Sequence, residues 1–448
     1  MELLNTLKLK FEKPDWSLNP EFGLIDTILE LHPELFSFLK EDICQGEKEN
    51  NFGRKDVPTV EQIVRAAIYK EMKGLDYREL EYAQSDSRIC SQFIKLDERE
   101  PFSFQMFQKY ISKIKATSLQ KILVAINKIA IQEGFEDIEK LRTDSTVVES
   151  NIHYPTNNSL VWDCIKESHR LLGMLKEEMD TLSFRDYTRA AKRTYFKINN
   201  TKSKDQRTKL FLAQLITFTK TINEVSNAIK KKSVNYRAIA IQVSLEGFLP
   251  ILRQVYDMTY RKEILGEVVP NAEKIFSIYE QHTDIIVKGQ REVNFGHKVN
   301  LASGKSNLIL DIDVLRGNPS DSGLFQPTVE RVVNNYGKVP RDIATDGGYA
   351  SLANQQYSNT KGIVNVVFNK ITGSLKNIVS SLNLETRLKK WRSGMEAIIS
   401  NFKRGYKIGV CTWKGWDHFQ SKVLWSALAY NFRVLTALVL GKISGISV

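Results

Sequence analysis

The chain has 448 residues, 42% of them hydrophobic, and a net charge of +12 from 64 Lys or Arg against 52 Asp or Glu. That is enough apolar material for a large core in two or three domains. The basic excess points to a polyanionic partner, because basic side chains release counterions when they meet phosphates. Cys44, Cys90, Cys164 and Cys411 lie far apart without metal-ligand spacing, which fits a reducing cytosol with the thiols in the core.

The opening MELLNTLKLKFEKPDW starts with an acid and has no uninterrupted apolar run, so it is not expected to be a signal peptide. Residues 1–136 read mostly as helix, with apolar positions at helical spacing in VEQIVRAAIYKEM and FQKYISKIKATSLQKILVAINKIAIQ. The break at Lys73-Gly74, followed by LDYRELEYAQ, reads either as a helix-turn-helix or as a plain helical hairpin. The β-branched run DSTVVES then predicts a strand over about 141–148.

Residues 159–282 return to helix. Between Arg185 and Arg237 they carry 14 Lys or Arg against three acids, a net +11, among them Lys192, Arg193, Lys230, Lys231 and Lys232. Such a one-signed stretch with interleaved aromatics is expected to face duplex DNA. From 283 to 315 the period becomes two. VNFGHKVNLASG and LILDIDVL flank the turn Gly304-Lys305-Ser306-Asn307 and predict a β-hairpin. RGNPSDSG reads as a loop, LFQPTVERVVNNYG as a helix, the residues before Asp346 and GIVNVVFN as strands, and 384–404 as a long helix.

The tail Val423–Leu440 is apolar, but Asn431 and Arg433 interrupt it. A buried helix is expected there rather than a membrane span. The expected division is 1–136, 137–158, 159–282 and 283–448. A mixed sheet flanked by helices, opened by a helical insertion after its first strand, explains this order.

Three acids stand in distinct contexts: Asp144 within a strand in LRTDSTVVES, Asp346 at a strand end in ATDGGYAS, and Glu396 on a helix in RSGMEAIIS. Carboxylates are hard oxygen ligands suited to Mg²⁺, and a pair of such ions can activate an attacking oxygen and stabilise a leaving one. Arg392 at i−4 and Lys403 at i+7 share a helix face with Glu396. With Arg404 and Lys407 they add phosphate-binding character beside the acid.

These segments resemble the bacterial insertion-sequence DDE transposases, whose catalytic core is RNase H-like. TDSTVVESNIHYPTN is similar to the first-Asp strand, TDGGYAS to the second-Asp motif, and Arg392, Glu396 and Lys403 stand at the family's intervals around the third acid. Lys389 occupies the place where relatives often have Tyr. HTDIIVKGQREVNFGHKVNLASG and LRGNPSDSG resemble the ISNCY-type group. The likeness spans most of 60–435, with its specific motifs at 140–158 and 282–404.

The resemblance implies an α/β fold with an RNase H-like mixed sheet, an N-terminal all-helical domain that binds DNA, and a basic helical insertion after the first strand. It further implies that Asp144, Asp346 and Glu396 bind two Mg²⁺ ions, with Mn²⁺ as a substitute. Arg392, Lys403 and Arg404 would hold DNA near the scissile phosphate. The partners would be terminal inverted repeats and target DNA, bound by a dimer in the bacterial cytoplasm at the nucleoid, with no membrane. A catalytically inactive DNA-binding derivative and an RNase H-like nuclease remain as alternatives.

Other polar residues were weighed. Asp311 and Asp313 share a strand face and are expected at the exposed polar side of the sheet. Asp321 is expected to cap the next helix or to support the acids. His297 is expected in the core, with a DNA contact by His297 or Lys298 left open. The tryptophans Trp162, Trp391, Trp413, Trp416 and Trp425 are expected as core or docking residues.

Overall fold

The computed structural model describes residues 16–17, 19–46, 57–96, 99–288, 292–371 and 375–444. The opening segment weighed above as a signal peptide lies almost wholly outside them. Among the described residues seven helices precede the first strand: α1 (Pro20–Leu31), α2 (Glu34–Cys44), α3 (Val60–Lys73), α4 (Tyr77–Asp86), α5 (Arg88–Phe93), α6 (Phe104–Ile111) and α7 (Ala116–Gln132). The α3–α4 corner is set locally. Thr59 and Gln62 form a capping box at the start of α3, Gly74 ends it at φ 66°, and Asp76 with Glu79 caps α4.

β1 (Lys140–Ser150) follows, then α8 (Asn157–Glu178), α9 (Thr188–Asn200), α10 (Lys204–Lys230), α11 (Tyr236–Glu263), β2 (Asp284–Lys288), β3 (Glu292–Ser303) and β4 (Ile309–Val314). The chain continues through α12 (Asp321–Tyr336), β5 (Asp342–Asp346), α13 (Leu352–Thr360), β6 (Asn365–Asn369), α14 (Leu382–Gly405), β7 (Val410–Cys411) and α15 (Trp416–Ser444). The predicted turn at 304–307 joins β3 to β4. Helix α12 begins at Asp321 rather than at Leu324, with Pro327 inside it.

Two compact units divide the chain. One is Ser150–Gly296, the other Met1–Glu149 with His297–Val448. The first holds α8–α11 around a separate core that includes Leu160, Ile165, Leu215, Phe218, Leu245 and Leu252. Its long helices are pinned by buried polar contacts. Asn158 bonds Asn199, Gln214 bonds Asn158, and Thr221 pairs with His169. The hairpin of β2 with the start of β3 runs antiparallel, from Asp284 opposite Gly296 to Lys288 opposite Glu292.

In the second unit the sheet is mixed. β5 lies between β1 and β6 and is parallel to both, with Thr143 opposite Thr345 and Asp346 opposite Asn369. β3 neighbours β1, β4 pairs antiparallel with β3, and β7 pairs with β1. The N-terminal helices share one apolar core with this sheet and with α15. The outer edge of β4 is covered by side chains: Asn431 of α15 accepts from the Ile309 N–H and donates to its carbonyl, which also receives the Asn127 amide. Asn431 is fully buried, so the polar residue in the apolar tail closes a strand edge. The residues of α15 around Asn431 are core, as expected of that tail.

Two expectations fail. Cys44 is exposed, since it ends α2, while the other three cysteines are buried. Asp311 is fully buried rather than solvent-facing. Arg331 from α12 binds it through Nε and Nη2 and reaches Asp313 at 3.1 Å. The helix covers that face of the sheet and supplies the countercharge a buried carboxylate needs.

Candidate active site

The β1–β5 pairing brings the first two acids together. Thr143 and Thr345 are register partners, so Asp144 and Asp346 occupy the next positions on adjacent parallel strands, where the strand spacing is about 4.8 Å. Both lie toward the C-terminal ends of the β5-paired segment, the usual location of ligand sites in α/β sheets. Gly347 after Asp346 has no room for a side chain: a Cβ there would lie 2.6 Å from the Asn369 carbonyl oxygen. The DGG turn therefore packs directly on the end of β6, which fixes where Asp346 emerges.

Helix α14 brings Glu396 to the same place, and one residue joins all three acids. The Arg392 Nη2 lies 2.6 Å from Asp144 Oδ2 and 3.7 Å from Asp346 Oδ1, and its Nη1 lies 3.1 Å from Glu396 Oε1. The Arg392 side chain is only 8% exposed, against 18% for Asp144, 44% for Asp346 and 70% for Glu396. The guanidinium thus sits beneath the carboxylates, which open outward.

Arg142, Gly394 and Ser145, which carry no signal in the sequence, hold this arrangement together with Asp321. Arg142, two residues before Asp144, crosses under α14. It donates to the Trp391 carbonyl at 2.6 Å and to Asn307, and its guanidinium lies 4.8 Å from the Trp391 ring centre. Burial lowers Arg142 to about 10. A Cβ on Gly394 would collide with Arg142 Nη1, so the small residue between Arg392 and Glu396 makes room for the Arg142 guanidinium against the helix. Ser145 donates its amide to Asp144 Oδ1 and its hydroxyl to Asp321 Oδ1. Asp321 also pairs with Lys298 at 2.7 Å and lies 3.1 Å from where a Cβ of Gly348 would stand.

Asp321 makes no side-chain cap; it occupies the first helical position of α12, and its contacts link the two Asp motifs. Tyr349, from the same DGGY run, is fully buried and donates to Asn300. Burial drives its phenol upward, and the nearby charges of Asp321 and Asp144 push it the same way. Ser145 and Gly394 stand close to acids in the sequence, but sequence alone does not distinguish them from ordinary residues of a strand or helix.

The remaining candidates divide. Lys403 lies on the last turn of α14, half-buried, and Arg404 is exposed beside it. Lys407 turns away and donates to the Gly74 carbonyl. Lys389 pairs with Glu385 on its own helix. His297 is fully buried between Trp416 and Phe419, and Lys298 is nearly so; neither faces solvent for DNA. In the other unit Lys192, Arg193, Lys230 and Lys232 are exposed, whereas Lys231 donates to the Thr181 carbonyl. All 14 basic residues of the Arg185–Arg237 stretch except Lys231 are exposed.

The donor set fits a divalent cation in kind: three carboxylates around one positive centre, two of them well exposed. Among the described residues no three ligating side chains are close enough to hold an ion. The positive centre here is Arg392.

A mixed sheet flanked by helices, with acids at adjacent parallel strand ends and a third on a crossing helix, defines an RNase H-like α/β protein. Residues 287–432, about a third of the chain, match the family described as the transposase DDE domain, which supports an insertion-sequence DDE transposase. The matched segment contains Asp346 and Glu396, while Asp144 lies before it. No curated protein and no solved structure gives a significant match to the chain.

Proposed function

We propose that this transposase cuts phosphodiesters at the ends of its mobile element and joins the freed 3′-OH to target DNA. The observation that carries the reading is the convergence of Asp144, Asp346 and Glu396 on the Arg392 guanidinium. Two Mg²⁺ or Mn²⁺ ions bound by the three carboxylates supply activation of the attacking oxygen and charge stabilisation of the leaving one. Water is the first nucleophile and the 3′-OH the second, each in line, with no covalent protein–DNA intermediate.

Arg392 and Lys403 hold the backbone beside the scissile phosphate, with Arg404 on the flank. The exposed Lys192, Arg193, Lys230 and Lys232 contact duplex phosphates of the inverted repeats, joined by the N-terminal helices. Lys231 contributes to this surface by fixing the turn between α10 and α11. Two ends must be held together, so the assembly on DNA is a dimer. It works on bacterial nucleoid DNA, as an ISNCY-type element would.

The test is cleavage of a labelled duplex carrying the element's end, with Mg²⁺, Mn²⁺ or EDTA. Metal-dependent nicking is expected for the native chain. Asp144→Ala, Asp346→Ala and Glu396→Ala should each lose it by at least about a thousandfold while still binding DNA. Equal cutting by the variants would remove the triad assignment.

A further inference from the structure

We propose that Arg392 is an exchangeable counter-ion: it holds the three carboxylates together in the metal-free chain and must release Asp144 when a divalent cation binds. This rests on the triad reading above and adds a role for a residue outside the triad.

The geometry is unusual for an arginine that only awaits a phosphate. Both terminal nitrogens are engaged by carboxylates, Nη2 between Asp144 and Asp346 and Nη1 with Glu396. The Arg392 side chain is 8% exposed and Asp144 18%, so that pair is largely shielded from water, whereas Asp346 and Glu396 are open. Asp144 and Asp346 stand at neighbouring positions on adjacent strands, and the guanidinium offsets the repulsion between these like charges. The guanidinium yields its place to a cation by rotating away.

Two features favour rotation. Nε is buried without a hydrogen-bond partner, so the present rotamer leaves a donor unsatisfied. Glu396 lies one turn along the same helix, so that pair can persist while the inter-element contact to Asp144 breaks. The released Nη2 is then free for a phosphodiester oxygen, which couples metal loading to the DNA grip.

The consequence is competition. Arg392 and a divalent cation share Asp144 Oδ2, so removing the guanidinium should tighten metal binding in the absence of DNA while loosening the metal-free protein. The experiment is Mn²⁺ titration without DNA, followed by the free-Mn²⁺ electron paramagnetic resonance signal, with thermal melts in parallel. It compares the native chain, Arg392→Ala, Arg392→Lys and Asp144→Ala. Arg392→Ala should bind Mn²⁺ at least about tenfold more tightly, melt lower when metal-free, and gain more from Mn²⁺ on melting. Arg392→Lys, which keeps a point charge but loses the fork, should fall between; it stands in if the alanine variant does not fold.

Unchanged or weaker Mn²⁺ binding in the Arg392 variants, with binding lost in Asp144→Ala, overturns the exchange but leaves the triad reading standing. Mn²⁺ binding that ignores Asp144→Ala removes both.

Discussion

Asn431 shows how much one buried amide can carry. It satisfies both backbone groups of Ile309 and the Asn127 side chain at once, all within 3.0 Å. Asn431→Leu would bury the Ile309 N–H and the Asn127 carbonyl without partners. At roughly 1–3 kcal/mol for each orphaned group, a loss of about 2–6 kcal/mol is expected, read as a lower urea midpoint with an unchanged slope. Such residues are only half legible in sequence. The polar break in an apolar helix can be seen, and it argues against a membrane span, but its partner on a strand about 120 positions away cannot. Arg142 is the harder case. It reads as a routine basic residue ahead of an acid, and only the fold reveals that it fastens Glu396's helix to Asp144's strand.

The elements of the site were largely readable because each has its own period and punctuation. β-branched residues mark β1, the glycine pair marks the end of β5, and the Arg392, Glu396 and Lys403 spacing marks one face of α14. What periodicity could not supply is how closely α14 approaches the sheet. Gly394 leaves room there for the Arg142 guanidinium. Gly394→Ala should displace Arg142 and cost about 1–3 kcal/mol as an overpacked contact. Cleavage should fall further than the stability loss explains, since Glu396 moves with the helix. Gly405→Ala, on the same helix with nothing within 4 Å of its added Cβ, should leave both measurements near native. If the two variants behave alike in denaturation and cleavage assays, the Gly394–Arg142 contact does not position the acid.

For the whole molecule, charge and pH make separate predictions. Phosphate contacts by Lys192 and Arg193 contribute about 0.9 each to the slope of log affinity against log salt. The double alanine variant should therefore bind duplex DNA with a slope shallower by about 2, at similar sequence preference; an unchanged slope would place the DNA elsewhere. Acid stability is governed in part by Glu71, which is buried against Lys70 and Lys422. Burial alone would raise its carboxyl, but Lys422 and then Lys70 outweigh it and hold the group below its ordinary value of 4.5. A lowered folded value means that the unfolded chain takes up protons first. This contribution is therefore complete above about pH 4.5 and lost as pH falls through the folded value. Lys422→Met should shift that loss toward higher pH in urea melts recorded across pH 3–6.

The sequence by itself determined the local pieces: where strands and helices run, which acids stand at strand ends, which helix faces are charged, and where the basic excess is concentrated. Those follow from short-range rules of periodicity, capping and turn chemistry. Only the tertiary structure decided that the N-terminal helices share a core with the sheet, that α12 buries Asp311 behind Arg331, that Lys298 serves Asp321 rather than solvent, and that Arg392 gathers the distant Asp144 and Asp346 beside Glu396 of its own helix. Each depends on contacts between residues far apart in the chain, where the cost of burying a charge selects its partner and no local pattern records the choice.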